Sequence, residues 1–136
     1  MDLYIEFAPS FLLSPATDMI QSGLSSVENR FSDVMFSLEA MLYFRQLYVQ
    51  DDIDFHNEEI SPLFSDFTGY PPCMIHVSSS ELMRDDSTRL AEYMRAKGVN
   101  VKLQEWRNMP HVFGIFEQLP ESKELVKQLV EFIEKY

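Results

Sequence analysis

The chain has 136 residues, of which 46% are hydrophobic and 13% aromatic, a composition typical of a globular domain and not of a disordered segment. Its 22 acidic residues outnumber its 11 basic ones, which gives a formal net charge of −11. A surface of this charge repels phosphate backbones and anionic membranes, so we expect no nucleic-acid partner and no membrane partner.

The first half of the chain predicts a strand, a loop and a helix. Residues 11–13 form a short apolar run that stops at a Ser-Pro pair, which is typical of a buried strand. Residues 21–33 are rich in serine and predict a long loop. Ser37 can cap a helix in which apolar residues recur at helical spacing. Residues 51–59 predict an acidic, solvated connection.

The second half alternates strands and helices. Residues 73–77 are apolar at nearly every position, as in a strand that is covered on both faces. Asp86 can cap the next helix, Gly98 can end it, and residues 99–106 alternate as a third strand does. Pro120 can start a last helix. The apolar sides predicted for the two helices consist of Leu90, Ala91, Tyr93 and Met94, and of Leu125, Val126, Leu129, Val130, Ile133 and Tyr136.

This order predicts an α/β fold with about three parallel strands that are flanked by helices. In such sheets the chemistry lies in loops beyond the carboxyl ends of the strands. Two loops qualify, residues 78–86 and residues 107–114. We therefore expect any reactive side chains of this chain to come from these two loops.

The two loops contain acidic residues and one histidine. Glu81 lies in the first loop and His111 in the second. A carboxylate that contacts a histidine fixes its tautomer and stabilises the imidazolium that forms when the ring takes a proton. Glu81 and His111 are thus a candidate catalytic pair, while a solvated glutamate and a structural histidine stay open as alternatives. We interpret His76, inside an apolar strand, as a core residue with one satisfied ring nitrogen.

Cysteine content and the lack of long apolar segments bear on location. Cys73 is the only cysteine, so no intrachain disulfide and no cysteine metal cluster can form. No basic residue precedes Arg30, and no stretch reaches the about 20 apolar residues of a membrane span. We predict a soluble, cytoplasmic, single domain over residues 1–136, with no cofactor and no metal ion.

Several segments of the chain resemble, in their order and spacing, segments of α/β-hydrolase fold esterases and lipases of the hormone-sensitive-lipase type. The resemblance spans residues 11–136 and implies the C-terminal part of that fold. The matching segments are residues 13–18 after the nucleophile strand, 60–72 before the acid-bearing strand, 75–86 with the acid loop, 89–99 in the following helix and 106–113, Trp-Arg-Asn-Met-Pro-His-Val-Phe, in the histidine loop.

The resemblance implies roles for three residues in the hydrolysis of small carboxylic esters. His111 would be the general base and Glu81 its acid partner. Asp85 lies four residues beyond Glu81, and it is the alternative acid or a supporting charge at the start of a helix.

The nucleophile of the family lies in Gly-x-Ser-x-Gly, a tight turn that exposes the serine hydroxyl. Glycines occur here only at positions 23, 69, 98 and 114, and Val27 stands where Gly23 and Ser25 would need a second glycine. The oxyanion loop, a histidine followed by glycines, is also absent from the sequence. We therefore expect the isolated chain to be inactive. Residues 1–6 resemble no segment of the family, and we interpret residues 1–10 as a non-native start, which could be a new start, a cloning remnant or a frameshift product.

Two functions without catalysis stay open. A sheet with no further strand beyond residues 11–14 would expose them as an apolar edge, and such an edge is a template for pairing. Residues 101–106 would form the opposite edge, where whole enzymes of this type dimerise by resemblance. The chain could thus be a module that self-associates or pairs with a partner through its sheet edges, or it could be a degenerate gene product.

Overall fold

The computed structural model describes residues 8–49 and 53–136, so the sequence predictions for residues 1–7 and 50–52 lie outside it. Three strands and four α-helices alternate along these residues. They are β1 (Ser10–Leu13), α1 (Ser25–Glu28), α2 (Leu38–Tyr48), β2 (Cys73–Ser78), α3 (Arg84–Ala96), β3 (Val101–Trp106) and α4 (Pro120–Ile133), with short 3-10 turns at Pro62–Phe64 and Phe113–Ile115. Within these residues, no helix is both long enough and apolar enough to span a membrane.

The three strands form one parallel sheet in the order β1-β2-β3, which confirms the predicted α/β fold. Every residue of β2 is buried, as its nearly continuous apolar sequence predicts for a central strand. Leu13 of β1 pairs with His76, and Ser78 pairs with Trp106 of β3. The carboxyl ends of all three strands therefore lie at the same edge of the sheet.

The core lies between one face of β2 and α3. Cys73 and Ile75 point to this face and are fully buried against Leu90, Ala91 and Met94. Burying a large apolar side chain stabilises the fold by about 1.5–3 kcal/mol. This packing fixes where α3 starts, and α3 follows directly on the loop that contains Glu81.

The opposite face of β2 carries His76, which is fully buried. Trp106 Nε1 donates a hydrogen bond to His76 Nδ1 over 2.7 Å, and the two rings stack with centroids 5.7 Å apart. His76 Nε2 is buried and makes no hydrogen bond with the described residues. The prediction of a core histidine with one satisfied nitrogen is confirmed.

Three local predictions were wrong. Residues 21–33 contain the short helix α1 and are not all loop. Asp86 does not cap α3, because the helix already begins at Arg84 and the Asp86 carboxylate accepts hydrogen bonds from the backbone N–H groups of Thr17 and Asp18. Tyr93 is exposed, since the neighbouring residues of α3 take the side that faces the sheet.

The last helix buries less of its apolar stripe than the sequence predicts. Leu125 is buried. Phe132, which the predicted stripe omits, lies about two helical turns further on and is also buried. Val126, Val130 and Ile133 are about half exposed. The described chain therefore covers only a narrow side of α4, and the rest of the stripe faces outward.

Candidate active site

The two loops at the carboxyl end of the sheet bring Glu81 and His111 together. Glu81 lies in the turn after β2, and His111 follows β3, which pairs with β2 as far as Trp106. His111 Nδ1 is 2.7 Å from Glu81 Oε2. The Glu81 side chain is 1% exposed and that of His111 is 15% exposed, so a reactant can reach only the histidine.

The second oxygen of the Glu81 carboxylate is also satisfied. Oε1 accepts hydrogen bonds from Ser14 Oγ over 2.8 Å and from the backbone N–H of Ser78 over 2.7 Å. Removing a carboxylate from water is costly unless hydrogen bonds replace the lost solvent. Both partners of Oε1 are donors, so this oxygen acts only as an acceptor.

This environment fixes the tautomer of His111. Both oxygens of an ionised carboxylate are acceptors, so with Glu81 ionised the proton between the two side chains lies on His111 Nδ1. Nε2 is then the unprotonated nitrogen of the neutral ring, free to accept a proton from a reactant. A histidine held in this way by a buried carboxylate has the arrangement of a general base.

An apolar cavity of about 660 Å³ borders the histidine. Its wall comes mainly from α2 and the loop before it, including Phe36, Met41, Phe44 and Leu47. The Phe36 ring meets His111 edge-to-face, with centroids 4.9 Å apart. The sequence predicted α2 as a helix but not its place beside His111, because periodicity shows which side is apolar and not what that side meets.

Asp85, the alternative acid, is directed elsewhere. Its Oδ2 accepts a hydrogen bond from the Ser25 backbone N–H over 3.0 Å, and its Oδ1 contacts the Arg84 guanidinium at 2.9 Å. Burial opposes ionisation of this carboxyl, but the Ser25 and Arg84 contacts outweigh it and lower the pKa of Asp85. Asp85 lies in the first turn of α3, which fits the supporting charge at a helix start.

The sequence reasoning missed residues that hold the Glu81 loop. The sequence predicts Ser14 only as the end of a strand, although its place at the carboxyl edge of the sheet is a usable signal. Asn29 Nδ2 donates to the backbone oxygens of Ser79 and Glu81, and Asp33 Oδ2 accepts from the Leu82 N–H. Asn29 and Asp33 lie about 50 residues before the loop, and no local pattern reveals such contacts.

The sequence model of the alpha/beta hydrolase fold family matches residues 5–115. An esterase of Acinetobacter venetianus is 33% identical over 130 residues, which cover 93% of this chain and 43% of that protein. An acetyl-hydrolase of Streptomyces hygroscopicus is 26% identical over 121 residues, 88% of this chain and 40% of that protein. The chain thus spans less than half the length of these relatives.

Solved structures give the same result. The hormone-sensitive-lipase homologue EstE7 from a metagenome library superposes with a TM-score of 0.87 at 33% identity, over 93% of this chain and 44% of that one. A mutant of the esterase E40 gives a TM-score of 0.89 at 33% identity, over 94% and 43%. The chain belongs to the α/β-hydrolase fold family, and within it resembles the C-terminal part of an esterase or lipase of the hormone-sensitive-lipase type.

Proposed function

We propose that these residues supply the acid–base half of a carboxylic-ester hydrolase. The observation that carries the proposal is the 2.7 Å hydrogen bond between His111 Nδ1 and Glu81 Oε2 at the border of an apolar cavity. The names of the relatives, esterase and acetyl-hydrolase, support the same class of reaction. The 136 residues contain no Gly-x-Ser-x-Gly, so the nucleophile would come from polypeptide outside them.

The geometry defines what each residue would do. His111 Nε2 accepts the proton of the attacking hydroxyl, and the Glu81 carboxylate stabilises the imidazolium that results. The same Nε2 proton then passes to the departing alkoxide, which leaves as the alcohol. Asp85 would act only through the fold, by holding the start of α3 against Ser25.

The cavity points to the class of ester. Its lining is mainly apolar, and Arg45 is its one cationic side chain among the described residues. A pocket of this kind binds apolar groups with little polar recognition. We infer that the substrates are carboxylic esters, and that the group of the ester that enters this cavity is small and apolar. A cytoplasmic location stays a prediction from the sequence.

The isolated chain should not hydrolyse p-nitrophenyl butyrate faster than its His111→Ala variant does. His111 has no nucleophile to activate within these residues, and a general base alone contributes little without one. The measurement is release of p-nitrophenolate by the purified chain and by the variant under the same conditions. Turnover that His111→Ala abolishes would show that a nucleophile within these residues, or a second copy, completes the site.

A fusion enzyme tests the proposed function itself. In it, this chain replaces the aligned portion of the Acinetobacter venetianus esterase, with which it shares 33% identity. We expect the fusion to hydrolyse p-nitrophenyl butyrate. A folded fusion protein that shows no activity would count against the proposal.

A second candidate function is pairing through the edge of the sheet. The N–H groups of Ser10 and Ser14 donate hydrogen bonds towards β2. Because N–H groups alternate in direction along a strand, those of Phe11 and Leu13 point away from β2, to the open edge of the sheet. Within the described residues no strand covers this edge. We propose that the chain self-associates, or takes up a partner strand, along β1.

Two substitutions at Phe11 distinguish pairing through backbone hydrogen bonds from contact through the apolar side chain. Phe11→Pro removes the side chain and the outward N–H, whereas Phe11→Ala removes the side chain alone. We expect light scattering to show oligomers of the chain at tens of micromolar, and Phe11→Pro to weaken them about tenfold more than Phe11→Ala. A monomeric wild-type chain at that concentration would contradict the pairing function.

A further inference from the structure

We propose that Ser14 is a positioning residue that aligns the Glu81 carboxylate with His111. The inference concerns the geometry of the pair, and its importance for catalysis rests on the proposed function. Ser14 is 3% exposed, and one hydroxyl contacts both the acid and the loop that carries the base.

The sheet fixes the position of this hydroxyl. The Ser14 N–H donates to the backbone oxygen of His76 over 2.8 Å and so extends the ladder between β1 and β2 by one bond. The residue then turns the chain out of the strand with φ 48, in the left-handed region that non-glycine residues rarely adopt. The Ser14 side chain is therefore anchored to the central strand and not to a loop.

The hydroxyl uses both of its hydrogen-bonding functions at the site. Its single proton goes to Glu81 Oε1 over 2.8 Å, and its oxygen accepts the backbone N–H of Val112 over 3.2 Å. A serine hydroxyl has one donor and two acceptor positions, so the two bonds are compatible. Ser14 thus ties the carboxylate to the residue that directly follows His111.

The second of these bonds holds a strained backbone. Val112 has φ 53 and ψ 34, the left-handed conformation, which is an outlier for a β-branched residue. Strain of this kind persists only where surrounding contacts impose it. Besides Ser14, the loop is held at Met109, whose N–H donates to Ser78 Oγ over 2.8 Å and whose oxygen accepts from Ser80 Oγ over 3.1 Å.

Loss of the hydroxyl would act on both partners of the pair. Glu81 Oε1 would keep only the N–H of Ser78, so the carboxylate could rotate away from its present plane. Val112 would lose the partner of its N–H at the point of strain. A serine that merely satisfied its own hydroxyl would not have this effect, because its removal would leave the hydrogen bond of His111 unchanged.

The test reads this hydrogen bond directly in the full chain by proton NMR. The Nδ1–H resonance of His111 is assigned by its absence from the His111→Ala spectrum, and its exchange with water is measured in Ser14→Ala and Ser14→Gly. Glycine removes the hydroxyl and also relieves the left-handed φ, so it separates the hydroxyl from backbone strain. Ser10→Ala is the matched control, since Ser10 lies at the other end of the same strand.

We expect the His111 proton to exchange about tenfold faster in both Ser14 variants and at the wild-type rate in Ser10→Ala. The Nε1–H of Trp106, bonded to His76, is the internal reference and should not change. Unchanged exchange at His111 in both Ser14 variants would overturn the inference, as would equal acceleration of the two protons. Because no hydrolysis is measured, an inactive fusion enzyme would leave this result standing.

Discussion

His111→Ala should lower kcat of the fusion enzyme at least about a thousandfold, because it removes the nitrogen that would take the proton of the nucleophile. KM should change little, since the apolar cavity proposed to bind the ester is lined mainly by α2. The measurement is steady-state hydrolysis of p-nitrophenyl butyrate. A loss of only a few-fold would mean that another group is the base.

The acid can be assigned with two variants of equal chemistry. Glu81→Gln keeps the size of the side chain but removes the charge that stabilises the imidazolium, so we expect a loss of about a thousandfold in kcat. Asp85→Asn removes a charge that contacts Ser25 and Arg84 instead, and kcat should stay within about threefold of the parent. The reverse ranking would make Asp85 the acid.

Much of the sheet could be predicted from the sequence, because its signals are local. The nearly continuous apolar run at Cys73 marks a strand covered on both faces, and the alternation ending at Trp106 marks an edge strand. Parallel strands end at one edge, so the loops that follow them must meet. The shared edge alone brings Glu81 and His111 into one region, and the structure places their side chains in a hydrogen bond.

The rest depends on contacts between distant residues. Asp86 looks like a helix cap in the sequence, but its carboxylate serves the backbone of Thr17 and Asp18, about 70 positions earlier. The position of α2 beside His111 likewise follows from tertiary packing. Helical periodicity identifies an apolar side and leaves open which surface it covers.

Two buried titratable groups give the stability of the chain opposing dependences on pH. Burial, and secondarily the charge of Lys102, lowers the pKa of His76 to about 4 from its usual value of 6.5. Between these values the unfolded chain binds the proton more readily than the folded one. The contribution of neutral His76 to stability is thus complete above pH 6.5 and falls by about 3 kcal/mol as pH drops to 4.

Asp86 acts in the other direction. Burial raises the pKa of this carboxyl to about 6 from 3.8, against hydrogen bonds from the N–H groups of Thr17 and Asp18 that lower it. Between these values the folded chain binds the proton more readily. Its contribution is complete below pH 3.8 and is lost, by about 3 kcal/mol, as pH rises through 6. In the wild-type chain the two effects nearly cancel between pH 6 and 4.

Replacing either His76 or Asp86 should therefore reveal the pH dependence of stability that the other residue causes. In His76→Asn, where the amide oxygen can still accept from Trp106, the free energy of unfolding should rise by about 3 kcal/mol as pH falls from 6.5 to 4. In Asp86→Asn it should fall by about the same amount over this range. Urea unfolding followed by Trp106 fluorescence measures both slopes. Parallel slopes in the wild type and the two variants would mean that neither group titrates differently in the folded chain. Slopes of opposite sign in the two variants would show that His76 and Asp86 both do.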